Sequence, residues 1–250
     1  MDEMPTRPSG DDRPGGDSAE GGAGRQPVFN MPAGILFCLA GLAVIYLVQS
    51  TLLSPNLAEW LVIEFGFSPL RYVYGFSEQG YEWLWTPLTY SFLHGSLEHL
   101  AFNGLWLAAF GTPVLRRIGG WRFAALWVVS AAGGALVHAL VNWGQPTLMI
   151  GASGVISALM GAACRFAFGP GSSVRVQPDR PLPRLSVLAA LRQRTVVVFI
   201  AVWLFGNLVI AIGMPLVGAL SGAVAWDAHI GGFLVGFLGF AAFDRPLRRN

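Results

Sequence analysis

The sequence predicts an all-α polytopic membrane protein, with six spanning helices behind a polar N-terminal tail.

 Three observations lead there. Hydrophobic residues make up 54% of the 250 residues and charged ones only 12%, with a mean hydropathy of +0.54. A soluble domain carries about 25% charged residues. Nine of the 30 charged side chains, 16 basic and 14 acidic in all, fall in the first 25 residues, leaving 21 for the remaining 225. So little charge cannot cover a water-facing surface, which excludes an ordinary soluble enzyme and a basic nucleic-acid binder. The second observation is a set of six apolar runs that span, or nearly span, about 30 Å of hydrocarbon. The third is the positive charge, all of it arginine, which is concentrated in alternate connections.

The elements follow in chain order. Residues 1–30 are rich in Gly, Pro, Asp, Ser and Arg and have little to bury, the composition of a disordered tail. The acidic lead and the lack of a small-residue cleavage site argue against a secretory signal. The apolar runs cover 33–53, 88–110, 122–143, 149–168, 196–216 and 225–243, giving one domain over 31–245 and a short end, 246–250. Between the first two runs, residues 54–87 mix Trp60, Phe65, Phe67, Tyr72, Tyr74, Tyr81, Trp83 and Trp85 with four glutamates and Arg71. Aromatic residues beside polar groups suit the membrane–water interface, so a structured loop on the outer leaflet is expected there. Cys38 and Cys164 lie inside apolar runs and read as small buried hydrophobes, too few for a disulfide framework.

Arginines set the expected orientation. The tail, the connection around Arg116, Arg117 and Arg122, the long connection from Arg165 to Arg194, and the C-terminal end hold every arginine except Arg71. The connections near 144–148 and 217–224 hold none. The positive-inside rule then places both termini in the cytoplasm of a cell membrane, in agreement with an even number of spans.

Polar groups inside spans are costly and mark functional candidates. The second run carries His94, Glu98, His99 and Asn103, the third His138, the fourth Ser153 and Ser157, the fifth Asn207, and the sixth Asp227 and His229. All four histidines of the chain are among them. At about 1.5 Å rise per residue, His99 lies about 18 Å above Gly111, Ser153 about 24 Å above Gly169, and His229 about 22 Å above Asp244. Three helices thus bring polar side chains to a similar level in the outer half of the membrane. Asn103 lies one turn from His99 on the same face.

The local chemistry is specific only in combination. Ser153, between Gly151 and Gly154, opens the fourth run, where first-turn N–H groups and the helix dipole favour negative charge on a nearby oxygen. Val155 occupies the last glycine position of the G-x-S-x-G elbow, so that motif is absent. Taken alone, the motif is weak, because small residues in a spanning helix usually serve helix packing. Gly232 and Gly236 form a smooth groove in the sixth run, and a neighbour packed there brings Ser153 within reach of His229 as general base. A structural histidine bonded to a carbonyl is the competing reading. Asp227, two residues from His229, points to another face. His99 and Asn103 suit donation to an oxyanion beside the Ser153 backbone N–H, and His94 suits holding the outer loop by hydrogen bonds. Histidines on separate helices also suit haem or metal, but H-E-x-x-H is absent because position 102 is Phe. No metal site or cofactor is assigned.

Together, His94, His99 and Asn103 at H-x4-H-x3-N, Gly151–Gly154 followed by Leu159-Met160-Gly161, and Ala228-His229 with Gly232 and Gly236 resemble the rhomboid family of intramembrane serine proteases. The resemblance covers about residues 33–245. It implies a six-span core in which Ser153 is the nucleophile and His229 the base of a dyad. His99, Asn103 and the Ser153 backbone N–H would form the oxyanion hole, and the partners would be the bilayer and transmembrane-helix substrates. It also implies that the fifth span and the outer loops gate substrate access, with residues 54–87 as the family's interfacial first loop. Two positions depart from the family pattern. Thr86 follows Trp85 where many members have arginine, and Ser157 stands where many place an aromatic residue under the catalytic histidine. A related protein that binds membrane helices without cutting them is the non-enzymatic alternative.

Overall fold

The computed structural model describes residues 31–168, 182–216 and 224–244; the tail 1–30 and the end 246–250 lie outside them. The described residues are helical throughout, apart from turns and one isolated antiparallel bridge between Phe67 and Met149. Helix α1, Ala33–Leu47, continues into a π-helical turn, Val48–Leu52. Helices α2, Pro55–Phe65, and α3, Glu82–Thr89, lie within or just beyond the aromatic loop. Next come α4, Leu97–Trp106, a π-helical turn, Leu107–Gly111, and α5, Thr112–Ile118. The long α6, Gly120–Val141, precedes the short α7, Ser153–Ala163. The chain closes with α8, Val187–Leu191, α9, Arg194–Leu216, and α10, Trp226–Phe243.

Four helical segments are long and apolar enough to cross a membrane: Ala33–Leu52, Gly120–Val141, Arg194–Ile212 and Trp226–Phe243. Their outward faces carry exposed Phe37, Leu140, Val202 and Phe205. Apolar exposure on this scale suits lipid and not water. The chain is therefore a multi-pass membrane protein.

The second and fourth apolar runs take a different form from that expected. Residues 88–96 do not join the second span: Tyr90–Phe92 form a 3₁₀ turn, and the helix starts only at Leu97. Ser96 sets that start, because its Oγ accepts from the His99 N–H at 3.1 Å. Right-handed helical backbone then continues through the π-helical turn to Ile118, ending at Gly119 with φ +78°. The fourth run shrinks to the 11 residues of α7. Met149 is bonded to Phe67, and Gly151 has φ +121°, so neither can be helical. Every residue of α7 from Gly154 to Ala163 is buried, which makes it the central post of the bundle.

Glycines let α6, α7 and α10 approach at backbone distance. A Cβ at Gly232 or Gly236 would overlap the carbonyl oxygen of Gly154 or Ala158, and one at Gly161 would press on the backbone of Phe233 and Phe237. On the other side, a Cβ at Gly231 would lie 2.6 Å from the Gly133 oxygen. The helix pairs are thus locked in register by contacts that any side chain would disrupt.

The aromatic loop is a structured element. Trp85 Nε1 donates to the Glu64 carbonyl at 3.1 Å, and Thr89 Oγ1 donates to that of Phe65 at 2.7 Å. Thr86 is fully buried. Arg71, the loop's arginine, donates to the Ile63 carbonyl at 2.7 Å and lies 3.5 Å from Glu82. At the far end of the bundle, Arg117 grips Asp244 through two 2.9 Å bonds. Arg165 donates to the carbonyls of Leu185 and Phe237 there. These pairs tie the ends of α5, α7 and α10 together.

Candidate active site

The three polar residues placed at one level by sequence all lie in first turns. His99 is the third residue of α4, Ser153 the first of α7, and His229 the fourth of α10. Their convergence follows from where the helices start. They line a cavity of about 760 Å³, together with Asn103, Ser157, Trp203 and Asn207.

Ser153 Oγ lies 2.8 Å from His229 Nε2. On the other side of the ring, His229 Nδ1 lies 2.7 Å from Asn207 Oδ1. The Asn207 Nδ2 donates to the Trp203 carbonyl one turn back at 2.9 Å, which turns Oδ1 toward the histidine. An oxygen at that position needs a donor, so Nδ1 carries the proton and the Nε2 lone pair accepts from the Ser153 hydroxyl. Asn207 and Ser157 are both buried. Ser157 does not support the histidine: its Oγ donates to the Ser153 carbonyl at 2.8 Å.

Across from Ser153 stand His99 and Asn103, one helical turn apart. A Cβ at Gly151 would lie 2.7 Å from both Cε1 and Nε2 of His99, and 3.8 Å from Asn103 Nδ2. Only glycine combines that approach with φ +121°. Asn103 is buried, and its Nδ2 has no acceptor among the described residues. Its amide donor, the His99 ring and the first-turn N–H groups of α7 therefore border the same small space as Ser153.

The surrounding residues fix this arrangement. His94 is fully buried, and its ring meets that of His99 edge to face at 5.0 Å between centroids. None of the described side-chain hydrogen bonds joins His94 to residues 54–87; its contact is with His99. Tyr90, unassigned from sequence, accepts from the Gly151 N–H at its carbonyl (2.9 Å) and donates its hydroxyl to the Ala131 carbonyl (2.9 Å). Gly134 and Gly154 make room for that hydroxyl. The two Phe67–Met149 backbone bonds, 3.0 and 2.8 Å, join the aromatic loop to the segment that leads into Ser153.

Asp227 serves a separate network. Its Oδ1 accepts from His138 Nδ1 at 2.8 Å and from the Ala228 N–H at 2.7 Å, and its Oδ2 accepts from Asn142 at 2.5 Å. His138 Nε2 meets Thr147 Oγ1 at 3.1 Å. This cluster joins α6, the following turn and α10 beside the cavity. Among the described residues, no group of three or more His, Cys, Asp or Glu side chains is placed to hold a metal.

The fold and site define a class: a helical multi-pass membrane protein with a Ser–His–Asn hydrogen-bonded chain in a cavity among its helices. Residues 81–245, about two thirds of the chain, match the family model described as the rhomboid domain. The chain belongs to the rhomboid family. It is 31% identical to the "Rhomboid protease GlpG" of Serratia proteamaculans over 155 residues, 62% of this chain and 46% of that protein. It is 28% identical to the "Rhomboid protease AarA" of Providencia stuartii over 208 residues, 78% of this chain and 66% of that protein. A third relative, "RHOMBOID-like protein 4" of Arabidopsis thaliana, is 29% identical over 163 residues, 65% of this chain and 35% of that protein. The chain spans about half or less of the length of the first and third.

Proposed function

We propose that the protein is an intramembrane serine endopeptidase that cuts transmembrane segments of other membrane proteins. The observation that carries this reading is the 2.8 Å contact between Ser153 Oγ and His229 Nε2 inside the cavity. Membership of a family whose relatives are named proteases supports it.

The reaction follows from the groups present. Ser153 passes its hydroxyl proton to His229 Nε2 as Oγ attacks the peptide carbonyl carbon. Negative charge moves to the carbonyl oxygen, which meets His99, Asn103 Nδ2 and the Ser153 backbone N–H. The C–N bond breaks, and the leaving amine takes the proton from His229. Water then gives a proton to His229 and attacks the ester carbonyl. The acid product leaves as Oγ regains its proton. The substrate helix must unwind locally, because a helical peptide bond is shielded by its own hydrogen bonds and extended backbone is costly in lipid. The cavity supplies polar partners for that exposed backbone.

The six-span count and orientation belong to the same proposal. The four long segments, the helical run Leu97–Ile118 and the enclosed α7 make up six passes. Arginines gather at the ends of α5 and α7 and at the start of α9, opposite Ser153. By the positive-inside rule that end is cytoplasmic, both termini face the cytoplasm, and the site opens toward the outer face.

Covalent labelling tests the nucleophile. A fluorophosphonate probe is expected to modify the detergent-purified protein at Ser153, identified by peptide mass spectrometry. Labelling should vanish in Ser153→Ala and fall at least tenfold in His229→Ala. Labelling at another residue, or undiminished in Ser153→Ala, would overturn the assignment.

A further inference from the structure

We propose that Asn207 is the residue that positions His229, so that the site works as a Ser153–His229–Asn207 relay and not as a bare dyad. The inference rests on the protease reading above. It starts from a gap in the site: position 157, one turn below Ser153, is a serine whose hydroxyl is spent on the Ser153 carbonyl. No aromatic ring stands there to hold the imidazole. Asp227, the nearest acid in sequence, has its carboxylate engaged by His138, Asn142 and the Ala228 N–H.

Asn207 supplies what these residues do not. It comes from α9, where Trp203, Asn207 and Ile210 line the cavity at spacings of four and three, one face of the helix. Its Nδ2 is bonded to the Trp203 carbonyl, which orients the amide, and its Oδ1 lies 2.7 Å from His229 Nδ1. Trp203 in turn stacks on Phe233 of α10, with 4.5 Å between ring centroids. The acceptor is therefore fixed from two directions. It selects the imidazole tautomer with a free Nε2 and prevents the ring from rotating away from Ser153. As a proton leaves Ser153, the same oxygen stabilises the imidazolium through Nδ1–H, the role an acid plays in the Ser–His–Asp arrangement.

An Asn207 series in the full-length protein tests this, with reporter cleavage and fluorophosphonate labelling of Ser153 as paired readouts. Asn207→Leu, of similar size and apolar in an apolar helix, is expected to lower kcat about 10- to 100-fold with KM within about threefold. That loss is a share of the ~10²–10⁴-fold a positioned acid–base contributes. The labelling rate should fall by the same factor, although no peptide binds in that assay. Asn207→Asp, which keeps an acceptor at the same place, should restore kcat to within about fivefold of wild type. In a His229→Ala background, adding Asn207→Leu should change labelling no further. An unchanged kcat in Asn207→Leu would overturn the proposal, as would an equal loss in Asn207→Asp or a further loss in the His229→Ala background. A Ser153→Ala control that still cleaves would instead overturn the protease reading itself.

Discussion

The carbonyl oxygen of Gly154 occupies the space that a side chain on Gly232 would need. Gly154 follows Ser153 and Gly232 lies three residues beyond His229, so this backbone contact sets how closely the two reacting side chains approach. The 2.8 Å between Ser153 Oγ and His229 Nε2 depends on α7 and α10 touching without side chains between them.

Adding one methyl group at this contact should separate the pair. Gly232→Ala is expected to lower thermal stability by about 1–3 kcal/mol, the usual cost of overpacking, and to lower kcat more than tenfold. Gly239→Ala on the same helix meets nothing within 4 Å and should leave both unchanged. Thermal unfolding in detergent, paired with reporter cleavage, separates the two variants. Equal behaviour would show that close packing does not set the geometry.

Gly151 has a second constraint, its left-handed backbone. Gly151→Ala requires φ near +121° and displaces the His99 ring. The expected cost is about 1–3 kcal/mol of backbone strain, with kcat reduced and Ser153 still able to react slowly with a fluorophosphonate. Loss of kcat without any loss of stability would mean that the turn relaxes and only His99 moves.

For Asn103, the expected effect lies in the chemical step. Among the described residues its amide donor has no acceptor, so Asn103→Ala removes little from the resting structure. It should lower kcat about 10²–10³-fold, the range for loss of one oxyanion donor, with KM and melting temperature nearly unchanged. A change confined to KM would instead assign Asn103 to substrate binding.

Asp227 should show the opposite pattern. It is 3% exposed and holds His138, Asn142 and the start of α10. Asp227→Ala leaves those buried groups without their acceptor and should cost about 3–5 kcal/mol. Below the lowered melting temperature, kcat per folded molecule is expected within about threefold of wild type. A hundredfold kcat loss in a stable protein would place Asp227 in the reaction.

The sequence disclosed the membrane class, because too little charge is available for a water-facing surface, and the family, through motifs on three separate runs. It was less informative about where helices begin. Hydropathy alone runs from 88 to 110, since Tyr90, Phe92 and Leu93 are apolar, but Ser96 caps a helix that starts at Leu97. The same limit made α7 look longer than its 11 residues, because the bridge between Phe67 and Met149 joins residues far apart in sequence. Ser153, His229, His99 and Asn103 stood out as polar groups in apolar runs. Asn207 was visible for the same reason, yet its partner was not, since only the packing of α9 on α10 brings it to His229. Tyr90 gave no signal: a tyrosine at the edge of an apolar run looks like an interface residue until its hydroxyl is seen at Ala131.

The central claim is that Ser153, activated by His229, cuts peptide bonds within the membrane. The most direct measurement reconstitutes the full chain in liposomes with a single-span reporter and locates the cut by mass spectrometry. The account predicts a cut within or at the edge of the spanning segment, abolished in Ser153→Ala and in His229→Ala while both variants remain folded. Undiminished cleavage by Ser153→Ala, or binding of the reporter by wild type with no cut at all, would contradict it.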